Sequence, residues 1–156
     1  MRLGTVAGTS AATAATALAG AAATGPGTES DWYRALRKPG FQPPATVFPV
    51  AWTTLYATIA AASARAIDRA EAGERRGCQR ALAANLAVNG AWSWVFFRAH
   101  RLGAATATAA VLTVSSPDLA RRSARADPRA GLALLPYTAW CAFATALSTA
   151  LWRLNR

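Results

Sequence analysis

Three groups of aromatic and amide side chains stand at helical spacing inside stretches that carry no charge. In "NLAVNGAWSWVFF", Asn85, Asn89, Trp92 and Phe96 fall four, three and four residues apart, which lines them up on one helical face. In "FPVAWTTLY", Phe48, Trp52 and Tyr56 repeat every four residues. In "PYTAWCAFA", Tyr137, Trp140 and Ala144 share one side. An amide within hydrocarbon needs a hydrogen-bond partner and turns away from lipid, so the asparagine stripe is expected to look into a helix bundle. Rings arranged in this way suit a flat apolar ligand oriented by few polar groups, and Arg34, Arg37 and Lys38 are placed to pair with ligand carboxylates. Interfacial belts and ordinary packing are the other reading of such rings, and it suits Trp32, Tyr33 and Trp152 at the ends of the apolar stretches. These stretches contain no nucleophile–base pair, carboxylate dyad or metal-ligating cluster, so conventional hydrolytic or metal-dependent catalysis is not expected. The single histidine, His100, lies in a loop and reads as solvated. Cys78, in a polar loop, and Cys141, in the last apolar stretch, suggest neither a disulfide nor a metal site.

The elements that must carry these residues follow from where charge is absent. No Asp, Glu, Lys, Arg or His occurs from Leu3 to Thr28, Pro39 to Ala64, Ala81 to Phe97, Leu102 to Pro117 or Ala130 to Trp152. A soluble helix needs a charged stripe on its wet face, whereas crossing a bilayer takes roughly 20 mostly apolar residues. The expected fold is therefore all-α, an integral membrane bundle of five transmembrane helices over residues 4–24, 46–66, 79–98, 102–122 and 130–152. The alternatives are a soluble alanine-rich bundle and, for the first stretch, a secretory signal peptide. "SSPD", Ser115 to Asp118, has Ser116 as a cap and proline after it, and predicts a kink in the fourth span. "RAIDRAEAGERRG" is expected to extend the second helix into water, and residues 25–45 form a proline- and aromatic-rich loop that runs through "RKPGFQPPATVFPVAW" into the second span. Five spans put this loop, the "RAHR" loop and the carboxyl terminus on one face. The net charge of +10 sits at span ends without a nucleic-acid motif, and anionic lipid accounts for it. The amino-terminal face has ten Lys and Arg against seven on the other, a weak lean toward a cytoplasmic amino terminus. Ala83, Ala87, Gly90 and Ala91 form a strip of small residues suited to close helix contact, within one chain or across a homodimer.

In order along the chain, "WYRALRKPGFQPPATVFPVAWTTLY", "NLAVNGAWSWVFF", "LLPYTAWCAFATAL" and "WRLN" resemble the signatures of the TspO/MBR family, which includes bacterial tryptophan-rich sensory proteins and the mitochondrial translocator protein, or peripheral benzodiazepine receptor. The resemblance implies a five-helix membrane protein, commonly dimeric, that binds porphyrins such as protoporphyrin IX or haem as ligands and requires no cofactor. It implies sensing, sequestration or transport of tetrapyrroles; the alternatives are light-dependent oxidative breakdown of the bound porphyrin and a membrane scaffold with no physiological small ligand. Carried over by position, the ligand-binding residues are Tyr33, Pro44, Phe48, Trp52, Asn89, Trp92, Phe96, Trp140 and Ala144. Trp52 and Asn89 are expected to hydrogen-bond the ligand, Trp52 and Trp140 to carry any photo-oxidation, and Arg34, Arg37 and Lys38 to hold propionates at the rim of a lid. Trp94 stands where the family often has proline and Ser148 where it usually has asparagine. "ALSTALWR" lacks the tyrosine of the animal sterol motif. For a bacterial member the inner membrane is the default location, although some members are reported elsewhere.

Overall fold

The computed structural model describes residues 1–156 and is entirely helical: α1 (Leu3–Thr28), α2 (Asp31–Ala35), α3 (Val47–Arg69), α4 (Ala72–Phe97), α5 (Leu102–Ala126), α6 (Pro128–Ala133) and α7 (Leu135–Leu154). α5 lies at the centre of the packing and is clasped chiefly by α4 and α7. α1 covers the outer side of α4 and also touches α3. α3 and α7, which carry the tryptophan stripes, pack against one another only sparsely. Length and apolarity qualify three segments as membrane spans, Leu3–Thr28, Val47–Arg69 and the Pro128–Leu154 pair. α4 and α5 are equally long, but Glu74, Arg75, Arg76 and Arg80 occupy the start of one, and Asp118, Arg121, Arg122 and Arg125 the end of the other.

Four local expectations are corrected. α1 does not stop before "GPGTESD"; it runs through Pro26 to Thr28. Proline at position 26 deprives the Ala22 carbonyl of its helical donor, and Arg98 Nη2 donates to that carbonyl at 3.4 Å. Trp94 adds a second clasp, its indole N–H donating to the Ala19 carbonyl at 3.0 Å. The charged segment "RAIDRAEAGERRG" extends α3 only as far as Arg69: Ala70 is extended, and the rest from Ala72 belongs to α4. α5 passes through Pro117 unbroken from Leu102 to Ala126, with Ser116 buried inside it rather than capping it. The last apolar stretch is interrupted instead, where α6 gives way to α7 at Leu134 and Pro136 falls in the first turn of α7.

Two glycines set close approaches. A Cβ on Gly27 would lie 2.6 Å from Phe97 Cβ, and one on Gly131 would lie 2.4 Å from Ala124 Cβ. The first seats the end of α1 on α4; the second seats α6 on α5. The core falls into two clusters. The larger is built from Leu55, Ile59, Leu82, Leu86, Leu112, Leu119 and Tyr137 with their neighbours, and Trp52, Tyr56 and Trp140 pack against it. The smaller, around Phe96, Phe97, Leu147 and Leu151, is covered by Trp32, Tyr33, Phe48 and Trp92.

Candidate functional site

The stripes of α3, α4 and α7 meet, although not in the way that the sequence suggests for Asn89. Trp52 on α3 and Trp140 on α7 approach edge to face, with ring centroids 6.3 Å apart and planes at 87°. Phe48 meets Trp140 at 6.1 Å and 71°, and Tyr56 tilts over Trp52 at 5.4 Å. On α4, Trp92 stacks on Phe96 at 5.1 Å, and Tyr33 from α2 closes against Phe96 at 6.3 Å. Edge-to-face and offset contacts are the arrangements favoured by ring quadrupoles. Two surface concavities stand out, and neither is lined by these rings. One, of about 460 Å³, lies among Met1, Arg2, Arg65, Asp68 and Arg69. The other, of about 640 Å³, lies among Pro39, Phe41, Ala146, Thr149, Ala150, Arg153 and Leu154. Phe48, Trp52 and Trp140 rest on one another, as do Tyr33, Trp92 and Phe96.

Asn89 is engaged at both ends of its amide within the protein. Its Oδ1 accepts from Tyr56 Oη at 2.7 Å, and its Nδ2 donates to Tyr137 Oη at 3.1 Å. Tyr137 in turn donates to Asn85 Oδ1 at 2.7 Å, and Asn85 Nδ2 donates to Ser115 Oγ at 3.0 Å. The amides expected to face inward do so, but protein hydroxyls satisfy them. An unsatisfied donor lies elsewhere on the stripe: Trp92 Nε1 is buried and has no acceptor.

The remaining predicted residues divide by exposure. Ala144 is half-buried on α7, and Pro44 is exposed in the loop before α3. The three bases of the loop are all exposed. Arg34 lies 3.6 Å from Asp31. Lys38 Nζ donates to the Tyr33 carbonyl at 3.2 Å and sits 4.6 Å from the Tyr33 ring centroid. The loop itself is fastened to the end of α7, where Asn155 Oδ1 accepts from Arg37 N–H at 2.8 Å and Asn155 Nδ2 donates to the Arg37 carbonyl at 2.9 Å. Trp32 stacks on His100 at 4.0 Å and 14°, joining α2 to the loop between α4 and α5. His100 has φ 55°, a left-handed conformation that non-glycine residues adopt rarely and that turns the chain sharply between the two helices.

Sequence reasoning missed three contributors. Tyr56 and Tyr137 were visible on the right stripes, but only tertiary contact identifies them as the partners of the amides. Phe143, one turn beyond Trp140, lies 5.4 Å from the Trp140 ring and 6.4 Å from Phe41 of the loop. Its spacing of three from Trp140 was the available signal.

An all-helical chain with apolar helices, ordered aromatic stripes and a loop pinned across one end defines a helical membrane protein with a candidate intramembrane binding site. Residues 9–153 match the TspO/MBR family, and the chain belongs to it. It is 36% identical over 125 residues to "Protein CrtK" of Rhodobacter capsulatus, covering 80% of this chain and 78% of that protein. Similarity extends to the "Tryptophan-rich sensory protein" of Cereibacter sphaeroides, at 34% identity over 80% of this chain and 77% of the relative. The human "Translocator protein" is 35% identical over 130 residues, 80% of this chain and 75% of its own. The chain is an integral membrane protein.

Proposed function

We propose that this protein binds porphyrins, or other tetrapyrroles, between α3, α4 and α7 inside a bundle of five membrane-spanning helices, and that it serves their sensing, sequestration or transport. α4 and α5 complete the five spans, their charged ends standing in the interface, where arginines snorkel. The observation that carries the reading is the convergence of Phe48, Trp52 and Trp140 across the sparse α3–α7 contact in a chain of this family. A tetrapyrrole enters by parting rings that otherwise rest on one another, and it replaces ring–ring contact with contact to its own flat faces. The buried, unpartnered Trp92 indole N–H supplies a directed donor to a ligand oxygen, beside an Asn89 amide already bonded to Tyr56 and Tyr137. Arg34, Arg37 and Lys38 stand at the loop to pair with propionates.

The test is titration of the purified protein with protoporphyrin IX, followed by tryptophan quenching. Saturable quenching that W52F/W140F weakens by about tenfold or more supports the site; no quenching, or quenching unchanged in that variant, overturns it and leaves a scaffold. Replacing Arg34, Arg37 and Lys38 together with alanine should weaken binding in a salt-dependent way, because paired surface charges are screened; unchanged affinity rejects the propionate role. A second reading, photo-oxidative breakdown, draws on the edge contact of Trp52 and Trp140, which would set two indoles against one bound macrocycle. Illumination of the complex distinguishes it: loss of the porphyrin absorption band in the parent and not in W52F/W140F favours breakdown. For a homodimer, the strip on α4 offers Ala83, Ala87 and Ala91, which are exposed; Gly90 faces Thr16 of α1, whose Cγ2 would lie 3.6 Å from an added Cβ.

A further inference from the structure

The proposed ligand site does not involve the other face of the bundle, where the concavity of about 460 Å³ is lined by Met1, Arg2, Arg65, Asp68 and Arg69. Its construction begins with Asp127, which is 3% exposed and caps α6 by accepting from the Arg129 N–H at 2.9 Å. Its Oδ2 also receives two guanidiniums from successive turns of α3, Arg65 Nε at 2.7 Å and Arg69 Nε at 3.1 Å. Across the cleft, Arg2 at the start of α1 approaches Asp68 through Nε at 3.3 Å, and its backbone N–H also bonds Asp68. All three arginines meet their carboxylates side-on through Nε. None of their Nη groups makes a hydrogen bond within the protein, so the paired ends of three guanidinium forks remain available. Three cations against two carboxylates leave a surplus of positive charge. Two of those cations are anchored from behind by a buried acid, so their rotamers are fixed before any ligand arrives.

We propose that this cleft is a binding site for a phosphate-bearing anion, held by the free guanidinium ends of Arg2, Arg65 and Arg69. Guanidinium forks match phosphate oxygens in bidentate geometry. The cleft lies where α1 begins and α3 ends, beside the ends of apolar helices, so the phosphate can belong to a lipid headgroup or to a soluble molecule. The site is separate from the aromatic cluster, and its occupancy does not depend on the tetrapyrrole reading.

Full-length protein would be placed in mixed micelles with phosphatidylglycerol or with phosphatidylcholine, and retained lipid counted by native mass spectrometry. In a parallel arm, inorganic phosphate and pyrophosphate would be titrated in neutral detergent, with affinity read by calorimetry. The variant is R2Q/R69Q, which keeps Arg65 on Asp127; R76Q/R125Q removes two exposed charges from the same face as a control. Selective retention of phosphatidylglycerol that falls about tenfold in R2Q/R69Q and not in the control identifies a headgroup site. Saturable binding of pyrophosphate with the same dependence, and no lipid selectivity, identifies a soluble phosphate. Equal loss in both variants, or no selective binding in either arm, overturns the proposal. If R2Q/R69Q fails to fold, R2Q alone serves, because the Arg2 backbone N–H still bonds Asp68.

Discussion

At the scale of single residues, the central feature is the directed chain Tyr56–Asn89–Tyr137–Asn85–Ser115, in which each interior group both accepts and donates. Hydrogen bonds in series polarise one another, and a buried amide left without a partner costs more than the bond itself gains. Tyr137 and Asn85 are fully buried, so the consequences of removing a hydroxyl depend on position. Tyr137→Phe strands the Asn85 carbonyl and one Asn89 N–H, whereas Tyr56→Phe strands only the Asn89 carbonyl. The expected losses of stability are about 1–3 kcal/mol for the first and roughly half that for the second. Thermal unfolding in one detergent checks the order, and equal losses would count against the chain. Trp92→Phe is expected to leave stability nearly unchanged, because its N–H already lacks a partner, while weakening ligand binding measured by the quenching titration.

At the scale of the helix, the charge-free windows made the long helices legible: the two after the loop begin at Val47 and Ala72, and α5 at Leu102, against expected span starts at 46, 79 and 102. What stayed hidden was the fate of the prolines. The first span was expected to end before Pro26 and the fourth to kink at Pro117, yet α1 and α5 run through them; the cost of a lost N–H depends on whether another group reaches the orphaned carbonyl. For Pro26 that group is Arg98, which reaches the Ala22 carbonyl from 76 positions further along the chain. The facing of the asparagine stripe was likewise readable from periodicity, but its partners were not, because Tyr56 and Tyr137 sit on other helices. Gly27 and Gly131 carry the element-level prediction. Alanine at either position is expected to lower stability by about 1–3 kcal/mol, since the added methyl meets Phe97 Cβ or Ala124 Cβ well inside contact distance. Alanine at Gly4 or Gly8, which have nothing within 4 Å, should be neutral or slightly stabilising through helix propensity. Melting temperatures of the four variants check this, and a uniform response would remove the packing explanation.

At the scale of the whole molecule, charge collects at the two ends of the bundle, and the buried acid at one of them, Asp127, is held ionised. Burial alone would push the Asp127 carboxyl up, but the Arg129 backbone N–H and the Arg65 guanidinium outweigh it and hold it below its ordinary 3.8. A carboxylate depressed on folding contributes stability that is complete above its unfolded value and is lost as pH falls through its folded one. Stability should therefore be flat from neutral pH down to about pH 4 and decline below it. Asp127→Asn should start lower at neutral pH and show a shallower acid limb, as followed by unfolding between pH 7 and pH 3. At the opposite end, the two hydrogen bonds between Asn155 and Arg37 make the tail of α7 a tether for the proline-rich segment. Trp152 lies less than one turn before that tether and packs beside Gly103, so it is a built-in fluorophore for the segment's movement. Displacement of the segment by an incoming guest would register in the emission of Trp152, which is not among the rings proposed to touch the guest, and cutting the tether with Asn155→Ala would silence that signal.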